Sequence, residues 1–297
     1  MIDELKTFIA VVEKKNFTKA SKAVNLSQPS VSLHISNLES YFNTVLIERS
    51  NKQKSMTVTP TGKILYNNAK QILSVLKYTK EEISSYHNGP TGILKIGATM
   101  TIGEFLLPAM LGDFIKEFPN IKLEVSIEST QHIYDKFKNY EFDIALSEGA
   151  FPLSNYKNDK FYKDTMVIAA AKDNPLVKMK NLTIKNLSKE TWITREEASG
   201  PAHDLKTFLN NTGIQPKNFI MFGSNYAIKE AVRNNLGISL ISSLIVDSAL
   251  KNGELSVLKT VLNYTRYFSY IVHDENTLSS ISSLFLDKLL KTFGNTI

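Results

Sequence analysis

The 297-residue chain contains no cysteine, which excludes disulfides, thiolate catalysis and Cys-ligated zinc. It also lacks an apolar run long enough to span a bilayer, and its opening residues MIDELKTF carry acids where a signal peptide would carry an apolar core. A cytoplasmic protein with no membrane partner is expected. Catalytic signatures are missing as well. There are five histidines but no G-x-S-x-G elbow, no phosphate loop ending in Lys-Ser/Thr and no H-E-x-x-H pair. Glu128 and His132 share a strand-to-helix corner, where a surface or capping histidine is the stronger reading. No enzyme activity, metal or cofactor is expected.

What the chain does have is a composition typical of a globular protein, 42% hydrophobic and 22% charged, and a length that predicts two or three folding units. Its net charge of +6 is unevenly placed. Residues 1–90 hold 12 Lys and Arg against 7 Asp and Glu, so the first third carries +5 of the total. That asymmetry points to phosphate contact by the N-terminal third and a different task for the rest.

The stretch Asn16 to Tyr41, NFTKASKAVNLSQPSVSLHISNLESY, gives the reason for that charge. Leu5, Phe8, Ile9 and Val12 predict a supporting first helix, and Phe17 a core anchor. Thr18 is positioned to cap a short helix with Ala20, Ala23 and Val24 inward. Asn25-Leu26-Ser27 breaks it; Ser27 then caps a second helix with Pro29 in its first turn and Val31, Ile35, Leu38 and Phe42 at 4-3-4 spacing. Its other faces carry Gln28, Pro29, Ser30, Ser32, Leu33, Ser36 and Asn37, mostly small polar groups suited to base edges in a major groove. Thr18, Ser27, Gln28, Pro29, Ser30, Ser32, Leu33 and His34 are the candidate contacts to double-stranded DNA from these helices.

Behind them, Val45 to Glu48 and Met56 to Val58 read as two short strands around a basic turn, a wing whose Arg49, Lys52 and Lys54 would reach phosphates. Thr59-Pro60 starts a long helix. Leu65, Ala69, Ile72, Leu76, Thr79 and Ile83 repeat at 4-3-4-3-4 within it, a heptad seam that predicts a dimer, with packing onto the wing's own core as the alternative. A dimer would set two recognition helices on a roughly palindromic site.

His87 to Gly92 is a linker, after which the pattern changes to strands alternating with helices and two α/β lobes with parallel pairing are expected. Strands are read at 93–98, 121–127, 142–146, 165–171, 192–194, 219–222 and 238–242. Helices are read at 102–118, 132–140, 203–212 and 225–234. Ligands of such sheets sit beyond the carboxyl ends of the strands, beside helix N-termini. Those places hold Thr99, Met100, Thr101 and Ile102, then Ser129 and Thr130, then Ser147 and Glu148. In the second half they hold Arg195, Ser199, Ser224 and Asn225. A cleft ringed by these groups favours a small anionic metabolite. The competing class, a small-molecule sensor without DNA contact, leaves the basic first third unexplained.

NFTKASKAVNLSQPSVSLHISNLE, the wing ending in TVTPTG, and ILKIGATMTIG together resemble the LysR-type transcriptional regulators, with an effector domain similar to the branch that includes sulfur-assimilation regulators. The resemblance spans essentially the whole chain. It implies an all-α winged helix-turn-helix domain at 1–59, a dimerising linker helix at 60–88 and a two-lobed α/β effector domain at 89–297 like a type 2 periplasmic binding protein. It further implies that the chain crosses between lobes near Tyr162 and Tyr267, giving lobe 1 as 91–162 with 267–297 and lobe 2 as 163–266. A homotetramer and RNA polymerase follow as further partners of such a regulator. By resemblance Gln28, Pro29 and Ser32 match DNA-reading positions and Arg49 the wing arginine, while Leu33 stands where relatives often carry a base. Thr99, Met100, Thr101 and Thr130 match effector positions. Ala198 stands at a usual glycine, and Pro201-Ala202 replaces a usual Thr-Arg, removing an arginine from the anion site.

Overall fold

The computed structural model describes residues 1–50, 55–148, 156–197, 199–273 and 278–294, and folds as two compact units, Met1–Gly89 and Pro90–Ile297. The first unit begins with α1 (Ile2–Lys14), α2 (Phe17–Ala23) and α3 (Gln28–Tyr41). Ser27 caps α3 by accepting the Ser30 N–H, and Val31, Ile35 and Leu38 are buried on one stripe. They pack with Leu5, Phe8, Val11, Ala20, Leu46 and Ile47 in a single core. The cap of α2 differs from expectation. The Asn16 side chain accepts the Lys19 N–H, because Asn16 holds the extended backbone a cap needs while Thr18 is already inside the helix. Phe42 also departs from the stripe: the helix ends at Tyr41, leaving Phe42 as its exposed C-cap. Ala23 is exposed rather than inward.

Strands β1 (Ile47–Ser50) and β2 (Ser55–Val58) pair antiparallel with Ile47 opposite Val58. The Glu39 carboxylate of α3 accepts the N–H groups of Leu46 and Ile47 at 2.9 and 3.2 Å, which fixes the wing's base to the recognition helix. Helix α4 (Pro60–Asn88) follows, capped by Thr59, whose hydroxyl donates to the Val45 carbonyl at 2.8 Å while accepting the Gly62 N–H. Gly62 is required there, since a Cβ would lie 2.2 Å from the Leu46 carbonyl oxygen. Helix α4 is held to α1 by Glu13, which takes a bond from the Tyr66 hydroxyl and an ion pair from Lys70 at 2.9 Å. The heptad seam divides. Leu65 and Ala69 complete the core of this unit, so the alternative reading holds for its first turn and a half; Ile72 and Ile83 beyond them are 49% and 61% exposed.

Among the described residues, the second unit is built on one seven-stranded sheet ordered β10 (Leu255–Val257), β6 (Lys157–Ala171), β11 (Tyr264–Val272), β5 (Ile144–Glu148), β3 (Gly92–Ala98) and β4 (Ile121–Ile127), with β9 (Ser239–Ser242) also on β6. Strands β3 (Gly92–Ala98), β4 (Ile121–Ile127) and β5 (Ile144–Glu148) are parallel, separated by helices α5 (Leu107–Glu117) and α6 (Thr130–Lys138). The expected helix 102–118 is broken into a wide π turn, Ile102–Leu106, and α5. Pro108 explains the break: it has no N–H to return to residue 104, and the Leu107 N–H reaches the Ile102 carbonyl instead. Gly103 in that turn lies against Ile127, which a Cβ would meet at 2.6 Å.

Uniform parallel pairing does not hold. Strand β6 (Lys157–Ala171), more than twice the length expected, pairs antiparallel with β11 (Tyr264–Val272), and β11 pairs antiparallel with β5. The two long strands carry the chain from one core to the other and back, so they must run in opposite directions. Phe161 and Phe268 enter the first core with Leu94, Ile96, Leu146 and Phe285, whereas Met166 and Ile168 enter the second with Trp192, Phe208 and Leu240. The pairing register shifts between Phe268 and Ser269, beside this passage.

The second lobe adds α7 (Ile184–Ser188), β7 (Thr191–Arg195), α8 (Gly200–Thr212), β8 (Asn218–Phe222), α9 (Asn225–Arg233), β9 (Ser239–Ser242), α10 (Ser243–Lys251) and β10 (Leu255–Val257). Strands β7 and β8 are parallel, as read, while β9 and β10 lie antiparallel to β6. Helix α11 (Ser280–Phe293) returns to the first core through Ile281, Phe285 and Leu289.

Candidate functional site

Two surfaces carry the residues singled out in the sequence. On the first unit, α3 presents Gln28, Pro29 and Leu33 to solvent, with Leu33 60% exposed, and Ser32 half-buried beside them. The Gln28 amide donates to the Ser32 hydroxyl at 3.4 Å, a weak bond that leaves most of its donor and acceptor capacity free for a partner. Ser27 and Ser30 share a hydroxyl pair at 2.7 Å in the first turn, and Thr18 is exposed on α2. His34 is different: its Nδ1 bonds the Thr7 hydroxyl at 2.9 Å, so the ring is turned back onto α1 and is not on the outward face. The Arg49 backbone pairs with Met56 in the wing, and Lys52 and Lys54 lie outside the described residues.

On the second unit, a cavity of about 120 Å³ is lined by Thr99 and Met100 after β3, by Glu128, Ser129 and Thr130 after β4, by Glu148 at the end of β5, and by Arg195, Glu196, Ser199, Gly200, Pro201 and Gly223 of the second lobe. Seven residues expected from strand-end position are thus brought together. Glu196 and Gly200, inside the stretch that follows the Trp192 strand, also line the cavity, as do Glu128, Pro201 and Gly223, which were not among the expected residues. Ser129 and Ser199 cap α6 and α8 by accepting the N–H groups of His132 and Ala202. Both helix N-termini therefore open at the cavity.

Five expected residues stand elsewhere. Ile102 is fully buried in the first core, as an apolar residue on the inner side of its turn must be, and its side chain is not part of the cavity wall. Thr101 is also buried; its N–H donates to Glu148 at 2.8 Å and its hydroxyl accepts from Asn225 and Arg266. Asn225, 2% exposed, supports the wall from behind, and Ser224 is spent capping α9 by accepting the Ala227 N–H. Ser147 is buried with a hydroxyl that finds no protein partner. The Thr99 hydroxyl also has none, and Thr99, 5% exposed, does line the cavity. An unsatisfied hydroxyl of this kind costs about 1–3 kcal/mol unless a ligand or water meets it.

The charges of the wall are paired internally. Arg195 grips Glu196 through Nε at 2.8 Å and Nη2 at 2.6 Å, and that grip holds the Glu196 carboxyl below the usual carboxylate range. Glu128 pairs with Lys136 of α6 rather than with His132. Glu148 pairs with Arg266 of β11, a residue absent from the expected site. Arg266 also holds Asp164 of β6 and Asp204 of α8, each at 2.8 Å, so one buried guanidinium joins three carboxylates from both lobes behind the cavity. Burial raises the Asp164 carboxyl above its usual range against the pull of Arg266. An arginine in the otherwise uncharged run YTRYFSYIV was the available signal.

Among the described residues no cluster of His, Asp and Glu could hold a metal, and no helix is long and apolar enough to cross a membrane. Residues 2–63 match the model of bacterial regulatory helix-turn-helix proteins of the lysR family, and residues 87–294 match the LysR substrate binding domain. The chain is 40% identical over 97% of its length to the HTH-type transcriptional regulator CysL of Bacillus subtilis, covering 99% of that protein. In fold it is similar to full-length OxyR from Pseudomonas aeruginosa, with a TM-score of 0.71 at 19% identity, covering 98% of this chain and 94% of that one. It is also similar to the Synechocystis CcmR regulatory domain in complex with 2-PG, with a TM-score of 0.63 at 26% identity, covering 69% of this chain and 99% of that one. These matches are to regulators and not to enzymes, and together they cover both units: the chain belongs to the LysR family of DNA-binding transcriptional regulators.

Proposed function

We propose that the chain works as a dimer or a tetramer of dimerised linker helices on a roughly palindromic promoter site, and that a small anionic molecule in the cavity between the lobes shifts the assembly between two geometries. The observation that carries the ligand half of this reading is the Thr99 hydroxyl, buried and without a partner in a residue that lines the cavity where the caps of two helices, Ser129 and Ser199, also stand. A group with lone pairs and negative charge satisfies both features. The ligand acts by binding one geometry better than the other, by ~1–3 kcal/mol. Thr99→Val is the test. It is expected to abolish the ligand response of operator binding while leaving operator affinity unchanged; normal calorimetric binding of the inducer to this variant would remove the cavity from the account.

The DNA half rests on the outward row Gln28, Pro29, Ser32 and Leu33, assigned to base edges, with Thr18, Ser27 and Ser30 near the backbone and Arg49, Lys52 and Lys54 at phosphates. Leu33 offers an apolar contact suited to a thymine methyl. Gln28→Ala is expected to cost roughly 1–3 kcal/mol on the specific operator. Equal losses on operator and random DNA in a binding titration would make Gln28 a backbone contact instead. The 40% identity to a transcriptional regulator along the whole chain supports both halves.

A further inference from the structure

Among the described residues, the guanidinium of Arg195 is the one cation in the cavity wall, and it is already occupied by the residue that follows it in the chain. Nε and Nη2 meet the two Glu196 oxygens side by side, the parallel geometry in which arginine receives a carboxylate. The third nitrogen, Nη1, is turned to Met100 Sδ at 3.0 Å and Asn225 Oδ1 at 3.5 Å. The partners are unequal in burial: the Arg195 side chain is 6% exposed and that of Glu196 is 49% exposed. The arginine is thus a fixed anchor, and the glutamate a side chain at the cavity mouth with water to swing into. We propose that Glu196 is an internal counter-ligand, its carboxylate holding the place on Arg195 that the carboxylate of a monoanionic ligand takes when it enters the cavity. This rests on the reading of the cavity as the effector site.

A single negative charge is favoured by the rest of the wall. Glu128 and Glu148 also line the cavity, and among the described residues its wall holds no second cation to receive a further charge. Replacing the Glu196 carboxylate by another monoanion leaves the charge around Arg195 as it was, whereas a dianion adds one among carboxylates. The Thr99 hydroxyl, unpartnered in the same wall, supplies the second polar contact. The exchange also has a mechanical consequence. The Glu196 carbonyl accepts both the Ser199 hydroxyl at 2.7 Å and the Ser199 N–H, and Ser199 caps α8. Helix α8 carries Asp204, which holds Arg266. Moving Glu196 therefore acts on the start of the helix that the interlobe arginine grips.

The test is fluorine NMR of trifluoroacetate, a monocarboxylate whose weak binding is directly readable, with the full-length native protein and with E196Q. Glu196→Gln is half-exposed and leaves the fork open, so a gain of binding cannot come from unfolding. E196Q is expected to bind the probe at least tenfold more tightly than the native protein, and the gain is expected to vanish when Arg195→Lys is added, which keeps the charge and loses the fork. Sulfate, tested as a competitor, is expected to gain less than the carboxylate. Equal probe affinity in the native protein and E196Q, a gain that survives Arg195→Lys, or an equal or larger gain for sulfate overturns the proposal. Operator binding measured on the same samples separates the two readings: a tenfold gain with no effect of Glu196→Gln or probe on operator affinity keeps the counter-ligand and removes the effector role of the cavity.

Discussion

Arg266→Ala is expected to destabilise the Pro90–Ile297 unit by about 3–5 kcal/mol, because it leaves a set of buried carboxylates without their common cation. Asp164 is fully buried, Glu148 nearly so, and Asp204 is 16% exposed at the side chain. All three face the same guanidinium, which makes their mutual repulsion the first thing exposed by its loss. Removing one partner of such a cluster costs more than the cluster contributes, since the desolvation of the remaining charges is no longer offset. In a unit of this size the loss corresponds to a fall in melting temperature of roughly 6–20 °C. A companion variant separates charge from packing. Adding Asp164→Asn to Arg266→Ala removes one orphaned charge and keeps a partner for the Ser242 hydroxyl, which bonds Asp164 at 2.6 Å, so part of the stability is expected to return. A loss below about 1 kcal/mol in denaturant titration of Arg266→Ala, in the range of an exposed pair, would show that the cluster is solvated and carries little.

The partners of this cluster are set by contacts far apart in the chain, which spacing along a sequence does not encode. The stripe Val31, Ile35, Leu38 was legible because a helix buries residues at fixed spacing, and the heptad in α4 was legible for the same reason. Strand-end position found Thr99, Ser129, Thr130, Glu148 and Arg195, since parallel β-α units place ligands there whatever the details. What it could not find was any role set by a distant partner. His34 looked outward by spacing, yet Thr7, on another helix, turns it inward. Strand-end position places Glu148 at the site, but its task as one of three partners of Arg266 depends on two strands meeting far along the chain. The crossing between lobes near Tyr162 and Tyr267 was implied by family resemblance, but its antiparallel pairing through β6 and β11 was not, because a strand that changes lobes keeps the same alternation throughout. Glu196 was legible as a residue and not as a ligand, for the same reason: adjacency in sequence does not say that two side chains close on each other.

The largest effect on DNA binding is expected from the linker helix. In the single chain the second part of the α4 seam, Ile72 and Ile83 among it, stands exposed, while Leu65 and Ala69 are spent in the winged unit. A 29-residue helix whose apolar seam outlasts its own domain is expected to bury the remainder against a second copy. Ile72→Glu combined with Ile83→Glu places like charges at two levels of that seam on both partners, so each substitution is counted twice across the two-fold axis. The winged unit itself is untouched, because neither position belongs to its core. Loss of the linker dimer converts binding of two linked recognition helices into two separate events, and the gain from linkage is on the order of 10²–10⁴ in affinity. The double variant is therefore expected to lose that factor on a palindromic operator and to change little on an isolated half-site, with a matching drop in sedimentation coefficient at equal concentration. Full operator affinity in the double variant, or an unchanged oligomer in sedimentation, would place the dimer contact elsewhere and leave the exposed seam without a function. The half-site control decides between this outcome and damage to the recognition helix, since damage to α3 lowers both affinities together.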